Sequence, residues 1–343
     1  MAKRKSAYAE AGVDIDAMTE ALGRAKRSVK STRTAGVLSD IGSFGGLFKS
    51  PGKDSVLVSS IDGVGTKLNV AALVGRHDTV GQDLVNHCTN DILAQGATPL
   101  FFMDYLGTSR LDPTAFAEVI AGISKACRQN GCALLGGETA EMPGLYPPKE
   151  YDLVGAIVGC VERKKIITGK SIRSGDVIIG LHSSGLHTNG YSLARKILFE
   201  KAGLKVSDTF PGLKRTVGDV LLAVHRSYLK PVTALLKKIR VHGVAHITGG
   251  GLVDNVPRVM PEGLCAHIDR MAWKVPVVYS VMAEQGRVDE EEMYRVFNMG
   301  IGMTLFVRPK DADTALAVLR KAGERPRIIG EVRRGTQRIE LNR

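Results

Sequence analysis

Ser55-Val-Leu-Val-Ser-Ser-Ile61 runs directly into Asp62-Gly-Val-Gly-Thr-Lys67, and this join of an apolar run to a glycine-bearing turn sets the reading of the chain. The first seven residues are rich in branched apolar side chains and read as a buried strand. The two glycines let backbone approach a bound group closely, and free N–H groups at the start of a following helix attract anions. Thr66 adds a hydroxyl, Lys67 a mobile charge, and Asp62 is placed to reach a metal bound to phosphates. An acid, a hydroxyl and a lysine around one such turn point to phosphate chemistry, which a lone glycine pair would not.

A β/α rhythm continues outward from this join. A helix is expected from Val80 to Ala97, a strand at Leu100–Asp104, a helix from Pro113 to Asn130, and strands at Cys132–Leu135 and Leu153–Val161. The charged, turn-rich stretch Glu162–Gly175 marks a boundary. Beyond it, Asp176–Leu181 opens a new unit, with helices near 190–200 and 217–239 and strands near 243–247, 263–269, 301–307 and 327–332. The alternation predicts α+β or α/β layers in both halves. The division expected is a basic, glycine-rich N-terminal segment at 1–50, a first domain at 51–165 and a second at 170–343. At 343 residues, two domains are also what chain length alone suggests.

Composition narrows the function. Hydrophobic content of 44% and charged content of 24% are ordinary for a globular protein. No apolar run approaches the roughly 18 residues that span a bilayer. The basic start MAKRKSAYAEAG leads into no apolar stretch, so no secretory signal and no membrane partner are expected. Five cysteines, at 88, 127, 132, 160 and 265, include no CxxC pair, which fits a reducing cytoplasm better than a disulfide framework or a structural zinc. The net charge of +12 raises nucleic acid as a partner. Aromatics at only 5% and scattered basic residues argue against it, and in favour of phosphorylated small molecules.

Four further segments carry candidate chemistry. In the helix from Val80, Leu84, Cys88 and Ile92 supply a core stripe, while Asp83, His87, Asn90 and Asp91 crowd another face. No Lys or Arg occurs between Gly81 and Ala97, so this acid and amide face suits Mg²⁺. Asp83 and His87 taken singly read as a solvated polar face; Asp91 beside Asn90 reads as a metal ligand. Gly136-Gly-Glu-Thr-Ala-Glu-Met-Pro-Gly-Leu-Tyr146 leaves a strand through two glycines and sets Glu138 and Glu141 three apart, with Glu138 the candidate ligand. Ser183-Ser-Gly-Leu-His-Thr-Asn-Gly190 forms a polar cradle from Ser183, Ser184, Gly185, Thr188 and Asn189, with His187 available for proton transfer. Thr248, Gly249 and Gly250, in His246-Ile-Thr-Gly-Gly-Gly-Leu252, make a second anion-binding loop. His246 itself reads as structural, and so does most of Tyr294–Met303. The nearest approach to a Walker A sequence, Gly46–Asp54, has the wrong spacing and ends in Asp.

Taken together, DGVGTK, NDILAQGATPLFF, GGETAEMPGLY, SSGLHTNGYSLARK, HITGGGLVDNVPRV and the opening YAEAGVDID resemble the aminoimidazole ribonucleotide synthetase family, in its usual order and from about Tyr8 to Val332. The resemblance implies a two-domain protomer whose N-terminal sheet pairs across a homodimer, with a layered C-terminal α/β domain. It implies ATP and Mg²⁺ as cofactors and formylglycinamidine ribonucleotide as substrate. It places Lys26 in the nucleotide site. Gly63, Val64, Gly65, Thr66 and Lys67 would lie at the phosphates, with Asn90 beside them and the loop bearing Gly42, Gly45 and Gly46 closing over them. Asp62, Asp91 and Glu138 would hold the metal, and the loops at 183–190 and 248–251 would hold substrate, with His187 moving a proton. Two positions depart from the family. Relatives commonly read Gly-Gly-Phe-Gly where this chain has Gly42-Ser-Phe-Gly45, and His87 stands where an apolar residue is expected; no role is given to it. Thiamine monophosphate kinase is the nearest alternative of the same architecture, and GGETAEMPGLY argues against it. A nucleotide binder that had lost catalysis should lack the acids at 62, 91 and 138, which are all present.

Overall fold

The computed structural model describes residues 46–50 and 52–342, together with Ala7 and Leu38. Two mixed sheets carry the chain. The first has the order β1 (Gly46–Lys49), β2 (Ser55–Gly63), β5 (Tyr151–Glu162), β3 (Thr98–Thr108), β4 (Ala133–Glu141). All its pairs are antiparallel except β3 with β4. That parallel pair needs a crossover, and helix α3 (Pro113–Asn130) supplies it. Its ends follow from sequence. Asp112 accepts from the N–H groups of Thr114 and Ala115, Pro113 occupies the first turn, and Gly131 closes the helix at φ 71°.

The second sheet runs β11 (Ile339–Asn342), β8 (Leu264–Asp269), β10 (Arg327–Arg334), β6 (Val177–His182), β9 (Ile301–Val307), β7 (Gly243–His246). Every residue of β9 is buried, as expected of a strand covered on both faces.

One helix sits at the centre. α2 (Asp78–Leu93) is buried from Thr79 to Leu93 on every side. Its apolar side lies against the inner face of the first sheet, where Val56, Val58, Phe102, Leu153 and Ile157 alternate inward. Its polar side meets the second domain, so the face read as solvated is interior. α2 also packs against α3 at backbone distance. A Cβ added at Gly122 would lie 2.1 Å from the Asp78 carbonyl oxygen, and one at Gly81 would lie 2.3 Å from that of Val119. Gly122→Ala must therefore separate the two helices and is expected to lower the unfolding free energy by about 1–3 kcal/mol, read from the urea midpoint.

Two expectations need correction. The predicted helix near 217–239 is two short helices, α5 (Val217–Leu221) and α6 (Leu229–Leu236), because side chains of the first domain capture the backbone between them. The strand expected to stop at Leu135 instead continues through Gly136 and Gly137 to Glu141, since β3 extends to Thr108 and supplies ladder partners throughout. β4 is an edge strand and largely exposed.

Candidate active site

Near the end of β2, Asp62 Oδ1 accepts from the Gly63 N–H at 2.7 Å, and Gly65 turns the chain at φ +66° into α1 (Lys67–Val74). Gly63, Gly65 and Thr66 keep an accessible surface; Val64 and Lys67 do not. Lys67 is the first correction at the site. Expected as a mobile charge, it is fully buried, with Nζ 2.8 Å from Asp83 Oδ2 and donating to the carbonyls of His187 and Ala223. The second domain covers it. Burial pushes the Asp83 carboxyl up and the Lys67 ammonium down, each opposed by the other's charge.

Asn90 is the second correction. It is buried, its Oδ1 accepts from Tyr228 N–H, and its Nδ2 donates to the Arg226 carbonyl and to His225 Nε2. These bonds tie α2 to the loop before α6 and leave nothing facing a nucleotide.

Asp62 and Asp91 do come together, through a residue to which the sequence assigned nothing. His87 Nε2 lies 2.9 Å from Asp62 Oδ2 and 3.8 Å from Asp91 Oδ2. Ser60 Oγ donates to Asp91 Oδ2 at 2.9 Å, and His246 Nδ1 lies 2.7 Å from Asp91 Oδ1. On its other side, His87 Nδ1 meets Thr188 Oγ1 at 2.7 Å, so one buried imidazole joins the carboxylates to the loop Ser183–Gly190. Burial disfavours an imidazolium, yet Asp62 and Asp91 outweigh it and raise His87 to about 9. Burial alone would also raise Asp62, but His87 holds it below its ordinary value. Asp62 remains 41% exposed.

The sign of this linkage gives a prediction. A folded-state value near 9 lies above the unfolded imidazole's roughly 6.5, so the stabilisation is complete below about pH 6.5 and disappears as pH rises through about 9. In chelator-containing buffer, the urea-midpoint advantage of the wild type over His87→Met should be larger at about pH 6 than at about pH 10.

The two loops of the second domain adjoin each other: a Cβ at Gly249 would lie 3.2 Å from Asn189 Oδ1. Ser183 Oγ donates to Asn298, Ser184 Oγ to the Val224 carbonyl, and Thr248 Oγ1 to Asn255. His187 is buried at φ +64°; its Nε2 accepts from the Ser184 N–H at 3.2 Å and its Nδ1 has no hydrogen-bond partner among the described residues. Burial, with the cationic neighbours, holds it well below its usual value, which leaves a neutral imidazole.

Glu138 is not brought to this centre. Asp62 pairs with Gly155, Gly155 with Asp104, and Asp104 with Gly137, so β4 lies three strand spacings, roughly 14 Å, from β2. Glu138 is exposed and accepts from its neighbour's N–H, Thr139. Lys26, Gly42 and Gly45 lie outside the described residues, and Gly46 opens β1.

Sequence reasoning missed His87 and His225, and it read His246 as structural only. The signal available was the missing Lys and Arg on α2, since acids buried without a basic neighbour must find cations or donors elsewhere. Here imidazoles from α2 itself and from the second domain supply them.

Comparison with known proteins settles the family. The AIR synthase related protein N-terminal domain matches residues 34–161, and the C-terminal domain of the same name matches 173–341. The phosphoribosylformylglycinamidine cyclo-ligase of Geotalea daltonii is 51% identical over 99% of this chain and 100% of its own length. That of Bacillus pumilus is 49% identical over 96% of each. The chain belongs to the phosphoribosylformylglycinamidine cyclo-ligase family. Among solved structures, thiamine-monophosphate kinase from Stenotrophomonas maltophilia shares the fold, with TM-score 0.63 at 16% identity over 92% of this chain and 93% of the kinase. Hydrogenase maturation protein HypE in complex with ATP does so with TM-score 0.62 at 19% identity, covering 86% and 83%. As a cyclo-ligase family member the chain is an enzyme of the ligase class. No described helix is long and apolar enough to cross a membrane.

Proposed function

We propose that this ligase closes formylglycinamidine ribonucleotide to 5-aminoimidazole ribonucleotide at the expense of ATP, releasing ADP and phosphate, in purine biosynthesis. The observation that carries the reading is the convergence of Asp62 and Asp91, beside an open glycine turn, on the polar loop Ser183–Gly190. An amide oxygen is a poor leaving group. Phosphorylation of the formyl oxygen gives an imidoyl phosphate; the ribose-bearing amidine nitrogen then attacks that carbon, closes the ring and expels phosphate.

Asp62 and Asp91 offer hard carboxylate oxygens on either side of His87 Nε2, the donor type Mg²⁺ favours. A bound divalent ion would offset charge on the transferring phosphoryl group. The accessible turn Gly63–Thr66 supports the nucleotide phosphates. Ser183, Asn189, Thr248 and Gly249 line adjoining loops suited to the substrate, and neutral His187 is the candidate to accept the proton lost on ring closure.

The protein is assigned to the cytoplasm as a homodimer. The outer face of the first sheet carries Ile61 at 70% and Leu135 at 64% exposed, with Met103 and Leu100 between them. A contiguous apolar sheet face of this kind supports pairing with a second copy. Leu135→Asp should convert a dimer to a monomer by light scattering after gel filtration; a wild type that is already monomeric sinks the assignment.

The reaction is tested by incubating the protein with ATP, Mg²⁺ and formylglycinamidine ribonucleotide while following ADP and the aminoimidazole together. One-to-one release supports the cyclisation. ATP turnover on another phosphorylated substrate, without the aminoimidazole product, would favour a kinase instead.

A further inference from the structure

Behind the two carboxylates lies a second set of potential ligands. His187, His225 and His246 are all buried, and their ligand nitrogens lie within 4.8 Å of one another.

Hydrogen-bond bookkeeping fixes how two of these rings face. Asn90 accepts from Tyr228 N–H through Oδ1, so its Nδ2 hydrogens point to the Arg226 carbonyl and to His225 Nε2, which must therefore accept. The remaining hydrogen of a neutral His225 is on Nδ1, 3.3 Å from Thr188 Oγ1. An ionised carboxylate only accepts, so His246 carries its hydrogen on Nδ1, towards Asp91. His225 Nε2 and His246 Nε2 face each other at 3.1 Å, and two neutral rings with these hydrogens would turn lone pairs towards each other. Two such lone pairs repel, and a cation between them turns the repulsion into ligation.

We propose that His225 and His246 bind one borderline divalent transition-metal ion, such as Zn²⁺ or Co²⁺, with His187 as third ligand. A tetrahedral ion with metal–nitrogen bonds of about 2.0–2.1 Å sets its nitrogens roughly 3.3 Å apart, close to the spacing already present. Asp91 on the far nitrogen of His246 is the usual orienting carboxylate behind a metal-bound imidazole. Imidazole nitrogens select such ions over Mg²⁺, which separates this site from the oxygen donors of Asp62 and Asp91. His187 is stacked on His225 with ring centroids 3.9 Å apart, and a 3.2 Å contact from the Ser184 N–H is its ring's one hydrogen bond among the described residues. Its ring turns out of the stack to ligate, and the Asn90 contact to His225 is given up. The consequence is a nitrogen site that captures the proposed proton acceptor.

The full chain, stripped with chelator and desalted, is titrated with Co²⁺ in excess Mg²⁺, without ATP or substrate. One equivalent bound, with a four-coordinate visible spectrum and no thiolate charge-transfer band, is expected. His225→Ala should weaken binding at least about tenfold. X-ray absorption on Zn²⁺-loaded wild type counts imidazole ligands directly, so the outcome does not depend on how the variant folds. Displacement by Mg²⁺, unaltered binding in a folded His225→Ala, no binding at all, or a sulfur ligand (which would place the ion at Cys265, His267 and Glu340) would each overturn the proposal. The cyclisation is not needed for any of these readings, so the two proposals stand or fall separately.

Discussion

Asp62→Asn is expected to lower kcat/KM by about 10²–10³-fold while leaving the protein folded. The amide keeps an oxygen that can accept from His87 Nε2, now 2.9 Å away, so the local geometry has no reason to collapse. What is lost is a negative charge at the accessible end of β2, beside the glycine turn. If that charge holds a divalent ion against ATP, the variant should need more Mg²⁺ for half-maximal rate and should bind ATP more weakly in its presence. Steady-state rates at several Mg²⁺ concentrations, with a thermal melt to confirm folding, check this. Activity within a few-fold of wild type would remove Asp62 from the metal site.

The second large effect concerns stability. Lys67→Met leaves the Asp83 carboxylate fully buried without its counter-charge, and breaking a buried pair from one side costs about 3–5 kcal/mol. It also strands the carbonyls of His187 and Ala223, which Lys67 serves as donor. Lys67→Met combined with Asp83→Asn should recover part of the loss, because the unpaired charge is gone and the amide oxygen can still accept from His225 N–H. Urea midpoints of the two variants and the wild type decide it. A Lys67→Met protein of wild-type stability but impaired ATP binding would restore the view of Lys67 as a phosphate ligand.

Much of the first domain was legible because its signals are local. Asp112-Pro113 and Gly131 bracket α3 at the residues expected, and the alternation in Leu153–Val161 belongs to a strand with one covered face. The turn after β2 was legible for the same reason, since glycine and backbone geometry decide it. What failed was set by the other domain. The polarity of Asp83 and His87 suggested solvent and that of Asn90 a nucleotide, and nothing within α2 shows that a second domain covers them. The helix expected across 217–239 had the periodicity of a helix. Lys67, Asp83, Asn86 and Asn90 nevertheless bind the backbone of Ala223, His225, Arg226 and Tyr228, and those bonds replace helical ones. Glu138, expected just past a strand end, lies within β4, and the strand order puts it away from Asp62.

That same polar seam bears on how the chain is made. Ribosomal synthesis delivers the first sheet and α2 well before residues 223–228 exist. Until then Asp83, Asn86, Asn90 and Asp91 can stay hydrated, so the seam adds no sticky apolar surface to the nascent first half. The cost is that this half has no finished active centre of its own. Arrival of the second half removes water from the seam and, in the same event, fixes the carboxylates proposed to hold the metal, so an enzyme truncated after the first domain should be inert.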